Sequence, residues 1–255
     1  MWDLFISIFI NVLLWIYNII GQNFGIAIIL FTILIRIVTW PLNAQQMKGA
    51  KAMQDLQNDK EWQAIQKKYA KDKEKLAQEQ MRVYREKGIN PFGSCLPTLI
   101  QFPIIIALYQ SIIRALAATP LDLLKLSRSI NPAFLNVSDL IPLNSKFLWM
   151  NLGQPEPYYI LAIVVAATTY IQSKLTLPPS TNPNDQSAAM GQSMAITMPL
   201  MLGWFALTFP SGLAVYFITS NLLGILQYAM QGKANWRNLL PGANKQQAQV
   251  TKKTK

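Results

Sequence analysis

The chain has 255 residues, of which 51% are hydrophobic and only 14% charged, with a formal net charge of +11. Ordinary soluble domains carry about 25% charged residues, so this composition argues against a soluble fold and for an all-α polytopic membrane protein. The absence of His and the presence of one Cys, Cys95, exclude imidazole acid/base chemistry, an internal disulfide and a thiolate metal cluster.

Residues 1–22 are apolar but striped. Asp3, Ser7, Asn11, Asn18 and Gln22 fall on one helical face. A spanning helix has no need of such a stripe, so the segment reads as an amphipathic helix lying in the membrane interface, with Trp2, Trp15 and Tyr17 at headgroup depth. The competing reading is a membrane span or an uncleaved signal anchor.

Five spans are expected over residues 23–230, at about 23–42, 95–117, 158–177, 193–209 and 211–230. Between the first two, residues 44–90 carry charges of both signs and recurrent apolar residues at Met53, Leu56, Trp62, Ile65, Tyr69, Leu76, Val83 and Tyr84. This predicts a charged helical hairpin broken at Ala70-Lys71-Asp72, with Asp72 as an N-cap and Gly88 ending the second helix. The loop 118–157 is Pro-rich, and 178–192 reads as a flexible loop. Phe209-Pro210-Ser211-Gly212 joins the last two spans into a tight hairpin.

Orientation follows from basic residues. The segment 44–91 has 11 Lys/Arg, the tail 231–255 has six and no acid, and the loop 118–157 has three. The hairpin and tail are therefore expected in the cytoplasm and the N-terminus outside, in the cell membrane. Because the basic residues flank apolar spans, membrane orientation accounts for the net charge better than DNA binding. The tail has two readings, contact with anionic lipid and contact with ribosomal RNA.

Arg36 sits inside the first apolar run at an insertion cost of roughly 2.5–3.5 kcal/mol. At 1.5 Å rise per residue it lies roughly 9 Å from the inner end. Thr32 is one turn away on the same face. Counting depth in the other spans brings Gln101, Gln172, Ser220 and Asn221 to a similar level, with Tyr216 above them. The outer halves, 26–31, 112–116 and 160–167, are almost wholly apolar. No Asp or Glu lies within the five spans, so the guanidinium must be hydrated or bonded to amides and hydroxyls. Plainer explanations are polar residues bonding between helices and an arginine that snorkels to the surface. A lone cation in a cytosol-facing groove, by contrast, attracts acidic or polar parts of a transiting chain.

Taken together, Thr32-x3-Arg36-x4-Pro41-Leu42, Gly88-Ile-Asn-Pro91, Cys95-Leu-Pro97-x3-Gln101-x-Pro103, Phe209-Pro210-Ser211-Gly212-Leu213 and Ser220-Asn221 resemble the YidC family of membrane protein insertases in its short, five-span bacterial form. The resemblance covers about 24–231. It implies a substrate groove formed by Arg36, Thr32, Gln101, Gln172 and Asn221, with Tyr216 and Phe217 as the paired substrate-contacting aromatics. It also implies a cytosolic lid at 45–87. Nascent membrane proteins and the lipid bilayer would be its partners, with the Sec translocon and ribosome as further ones, and no enzymatic activity, cofactor or metal. The alternative from the same polar residues is a small-solute or ion transporter. Against it stand the lack of an internal repeat and of an intramembrane carboxylate for ion coupling.

Overall fold

The structure is a computed structural model and describes residues 2–57, 59–69, 72–89, 96–116, 126, 130, 143–176 and 186–231. Among them are nine α-helices and one short β-hairpin, a helical polytopic membrane fold. They divide into two compact units.

The first unit is bounded by Met1–Val38, Gln101–Gln172 and Thr197–Gln227. Helix α1 (Trp2–Ile19) turns its Ile6, Ile10, Leu13 and Tyr17 face into the core. The chain then reverses through Gly21 and Gln22, both at positive φ (79° and 64°), where glycine carries no Cβ penalty. Asn23 caps α2 (Phe24–Val38), its Oδ1 accepting from the Ile26 N–H at 3.1 Å. Ring contacts between Phe9 and Phe31 (5.2 Å) and between Tyr17 and Phe24 (5.9 Å) fix α1 against α2. Helices α6 (Leu96–Ala115), α7 (Ile160–Thr176), α8 (Gln186–Thr208) and α9 (Ser211–Met230) contribute their segments within these bounds. Helices α7 and α8 meet through small residues, because a Cβ on Gly203 would lie 3.0 Å from the Ala166 Cβ.

One end of this unit is closed by the hairpin β1 (Lys146–Phe147) and β2 (Met150–Asn151) and the residues after it. The Phe147 ring covers Gly25, which has no side chain to block it. The α9 N-terminus is satisfied from outside the helix: Ser211 N–H donates to the Gln154 carbonyl (2.8 Å) and Gly212 N–H to the Leu152 carbonyl (3.0 Å). Glu156, 4% exposed, accepts from Trp149 Nε1 and from the Leu161 N–H, each at 2.9 Å. It thus ties the hairpin to the start of α7, where a carboxylate also suits the helix dipole.

The second unit is bounded by Thr39–Ile100, Ser173–Ile196 and Tyr228–Lys255. Its charged segment forms α3 (Trp40–Gln57), α4 (Lys60–Lys68) and α5 (Lys73–Glu86). Leu56, Trp62, Ile65 and Val83 make a small core, flanked by Tyr69, Leu76, Tyr84 and Ile89. Both N-caps are aspartates. Asp59 accepts from the Glu61 and Trp62 N–H groups, and Asp72 from the Lys75 N–H. Asp59 also pairs with Lys87, the C-cap of α5. That ion pair holds the Asp59 carboxyl below the ordinary carboxylate range.

Several sequence expectations change. The run 23–42 is not one helix: α2 ends at Val38 and α3 starts at Trp40. Pro41 is the reason, since proline suits a first helical turn but disfavours helical backbone before it. The hairpin segment has a further helix start at Lys60, marked by the Asp59 cap, in addition to the expected Asp72 cap. Gly88 ends α5 at φ 64°, as its position implied. Part of the expected flexible loop is helical, because α8 begins at Gln186. Helices stand at Leu96–Ala115, Ile160–Thr176 and Ser211–Met230, where the second, third and fifth spans are expected. Cys95, residues 90–91, 178–185 and the tail from 232 lie outside the described residues, as does most of 118–142.

Candidate functional site

The seven candidate site residues all belong to the first unit. They stand on four helices. Arg36 and Thr32 are one turn apart on α2, Gln101 is on α6, Gln172 on α7, and Tyr216, Phe217 and Asn221 on α9.

Arg36 is half-buried and bonded to α9. Its Nε donates to Ser220 Oγ at 3.2 Å, and its Nη2 donates to the same Oγ at 2.8 Å and to the Ser220 carbonyl at 2.6 Å. Hydroxyl and carbonyl acceptors thus solvate the charge, as the lack of carboxylates required. Gly224, one turn further along α9, leaves room for two neighbours. A Cβ there would lie 2.5 Å from Gln172 Nε2 and 3.4 Å from Arg36 Nη2. Arg36, Gln172, Ser220 and Gly224 therefore meet where α2, α7 and α9 converge.

One turn before Ser220, Tyr216 is 1% exposed and its hydroxyl accepts from Gln101 Nε2. Phe217 packs edge-on against Tyr216, with ring centroids 5.6 Å apart. The polar layer thus extends to α6.

Two candidates face other groups. Asn221 is buried and its Nδ2 donates to Thr168 Oγ1 (3.1 Å) and Thr169 Oγ1 (2.8 Å), which ties α9 to α7. Thr32 is fully buried and its hydroxyl donates to the Ile28 carbonyl in its own helix, at 2.6 Å. In this arrangement Asn221 links helices and Thr32 packs.

Sequence reasoning missed Ser220 as the partner of Arg36 and missed Gly224 altogether. The signal was present as a small residue at each end of Ser220-x3-Gly224, a spacing that puts both on one helical face.

Where α2, α6 and α9 meet beside Gly212 the packing is apolar. Toward the hairpin end, a Cβ on Gly212 would lie 3.1 Å from Ile28 Cδ1 and 3.4 Å from Ile112 Cδ1. Ile28, Ile112, Leu152, Val165 and Leu213 belong to the buried core there. The described residues thus pack α2, α6 and α9 through apolar side chains beside Gly212 and through hydrogen-bonding groups around Arg36 and Tyr216.

Residues 15–236 match the family described as 60Kd inner membrane protein. The chain is 37% identical over 220 residues to membrane protein insertase YidC 2 of Bacillus anthracis, covering 84% of this chain and 74% of the relative. It is 35% identical over 231 residues to membrane protein insertase MisCA of Bacillus subtilis (strain 168), covering 89% and 77%. Its fold is similar to that of an active YidC insertase whose crystal structure resolves the first transmembrane domain. The TM-score is 0.58 at 25% identity, over 90% of this chain and 46% of the other, so the chain spans less than half the length of that insertase.

Proposed function

The chain belongs to the YidC insertase family, and from that premise we propose that it moves nascent membrane proteins into the lipid bilayer through a polar groove around Arg36, open to the cytoplasm and to lipid. The observation that carries this reading is the polar layer between the helices, with Arg36, Gln172, Ser220 and Gly224 together and Gln101 on Tyr216 beside them. A hydrophilic leading segment gains hydrogen-bond partners and a fixed positive charge in the inner half of the membrane, which shortens the apolar barrier. The apolar segment that follows partitions into lipid, gaining roughly 25 cal/mol per Å² of apolar surface removed from water. No nucleotide or cofactor is needed for such a step, and the protein acts as an insertase rather than an enzyme.

In the proposed topology α2, α6, α7, α8 and α9 cross the membrane, with the N-terminus outside and the basic tail in the cytoplasm. The helices α4 and α5 are the cytoplasmic hairpin that receives substrate. Helix α1 lies in the outer interface. Supporting this, Asp3 at one end pairs with Arg114 near the end of α6, while Tyr17 at the other accepts a hydrogen bond from the Asn144 N–H. Both contacts are with residues near the hairpin end of their unit. Leu4, Ile8, Trp15 and Ile19 are exposed on the side opposite the core face, and the polar stripe runs between the two. The Sec translocon and the ribosome are proposed as working partners.

Reconstitution tests the reading. Purified protein in proteoliposomes should insert a nascent single-span substrate, seen as protease protection of its translocated end. Combining Arg36→Glu with Thr32→Ala should abolish it. Undiminished insertion by that folded double variant would overturn the groove mechanism.

A further inference from the structure

We infer that Ser220 and Gly224 are positioning residues that together form a seat on α9, holding the Arg36 guanidinium and the Gln172 amide as one unit at a fixed depth. The inference rests on the insertase reading above and deepens it by naming what sets the position of its charge.

Three observations carry the seat. Two separate nitrogens of Arg36, Nε and Nη2, converge on the single hydroxyl of Ser220. The same Nη2 reaches the Ser220 backbone carbonyl, which binds the guanidinium to the helix itself as well as to a rotatable side chain. Gly224, four residues on and therefore on the same face, leaves space that the Gln172 amide and the edge of the guanidinium share. Any side chain at 224 displaces the amide first and then crowds Arg36.

The consequence concerns depth. A long cationic side chain in a membrane extends toward the surface and carries its charge out with it. Bonds to charged donors are about twice as strong as neutral ones, and the fork of an arginine fixes direction as well as distance. The seat therefore opposes snorkelling. It keeps the positive charge inside the polar layer, where a carboxylate or other acceptor on an incoming chain meets it. Serine is suited to this because its hydroxyl accepts two donors at once.

The test reads the position of Arg36 without substrate. Protein in proteoliposomes is treated with phenylglyoxal, and modification of the peptide that contains Arg36 is followed by mass spectrometry. Ser220→Ala should raise the modification rate about tenfold by removing both bonds to the hydroxyl. Ser220→Thr, which keeps the hydroxyl, should restore the wild-type rate. Gly224→Val tests the other half of the seat and should raise the rate as well, independently of whether the Ser220 variants fold. In the insertion assay Ser220→Ala should slow a substrate with an acidic leading segment more than one with a neutral segment, with recovery in Ser220→Thr. Unchanged Arg36 reactivity in folded Ser220→Ala and Gly224→Val would overturn the seat. Failure of the wild-type protein to insert any substrate would instead overturn the insertase reading, and the reactivity data would still decide the seat.

Discussion

Arg36 and Ser220, 184 positions apart in the chain, are joined by three hydrogen bonds of 2.6, 2.8 and 3.2 Å. Two nitrogens of one planar group make them, and a lysine offers a single ammonium instead. Arg36→Lys keeps the charge but cannot reproduce the forked contact. It should lower stability in detergent by about 1.5–3 kcal/mol, the scale of hydrogen bonds to charged groups. Thermal unfolding of the two proteins checks this. Equal midpoints would mean that the forked contact adds nothing to stability.

Gln101 and Tyr216 join α6 to α9 by one side-chain bond. Because Tyr216 is almost wholly buried, removing its hydroxyl leaves the Gln101 amide without that acceptor. Tyr216→Phe, Gln101→Leu and the double variant form a cycle whose coupling should be about 0.6 kcal/mol, the mean for polar contacts between membrane helices. Additive effects in chemical unfolding would show that the two groups act independently.

Asn221 distinguishes a helix-linking role from substrate contact. Its amide is engaged by Thr168 and Thr169. Asn221→Leu should therefore destabilise the protein by about 1 kcal/mol, and the loss of insertion should follow the folded fraction. A stable Asn221→Leu protein with strongly reduced insertion would place Asn221 in direct contact with substrate.

That several of these polar residues come together was legible because helical rise turns residue spacing into position along a helix. Counting from span ends brought Arg36, Gln101, Gln172 and Tyr216 to one region, and the structure joins them through α9. What counting could not supply is azimuth. Asn221 and Ser220 are adjacent in sequence and equal in depth, yet one faces α7 and the other Arg36. Rotation about the α9 axis is set by packing, including the absent side chain of Gly224, and no single helix encodes that. The break between α2 and α3 was readable from Pro41 but was hidden by the continuous apolar run around it. Glu156 was hidden for a different reason. A carboxylate in a Pro-rich loop reads as solvated, and only the fold brings the Trp149 indole and the α7 N-terminus to it.

The Asp59–Lys87 pair makes the hairpin sensitive to acid. Lys87 and the capping N–H groups lower the Asp59 pKa from its ordinary 3.8. A carboxyl depressed in the folded state stabilises above its unfolded pKa and loses that contribution as pH falls through the folded value. Wild-type protein should therefore exceed Asp59→Asn in hairpin stability at pH 7, and the gap should close below about pH 3.8. Limited proteolysis of the 40–89 segment across this range measures it. A gap that persists unchanged into strong acid would show that the charge of Asp59 is not what holds the hairpin.

Leu148 at the hairpin tip carries the most exposed strain among the described residues that bear a large apolar side chain. It is 74% exposed and sits at φ 53°, the first of two turn positions, where glycine is the favoured residue. A branched apolar side chain in left-handed backbone costs of order 1–3 kcal/mol, and here no buried contact offsets it. Leu148→Gly should remove that strain and raise the stability of the detergent-solubilised protein by about 1 kcal/mol. The effect should reverse in liposomes if the tip rests in the interface with Trp149, because the leucine then gains apolar contact with lipid that glycine lacks. Thermal unfolding in detergent and in liposomes separates the two contributions. A loss of stability in both media would mean that Leu148 contributes through protein contacts rather than through the membrane surface.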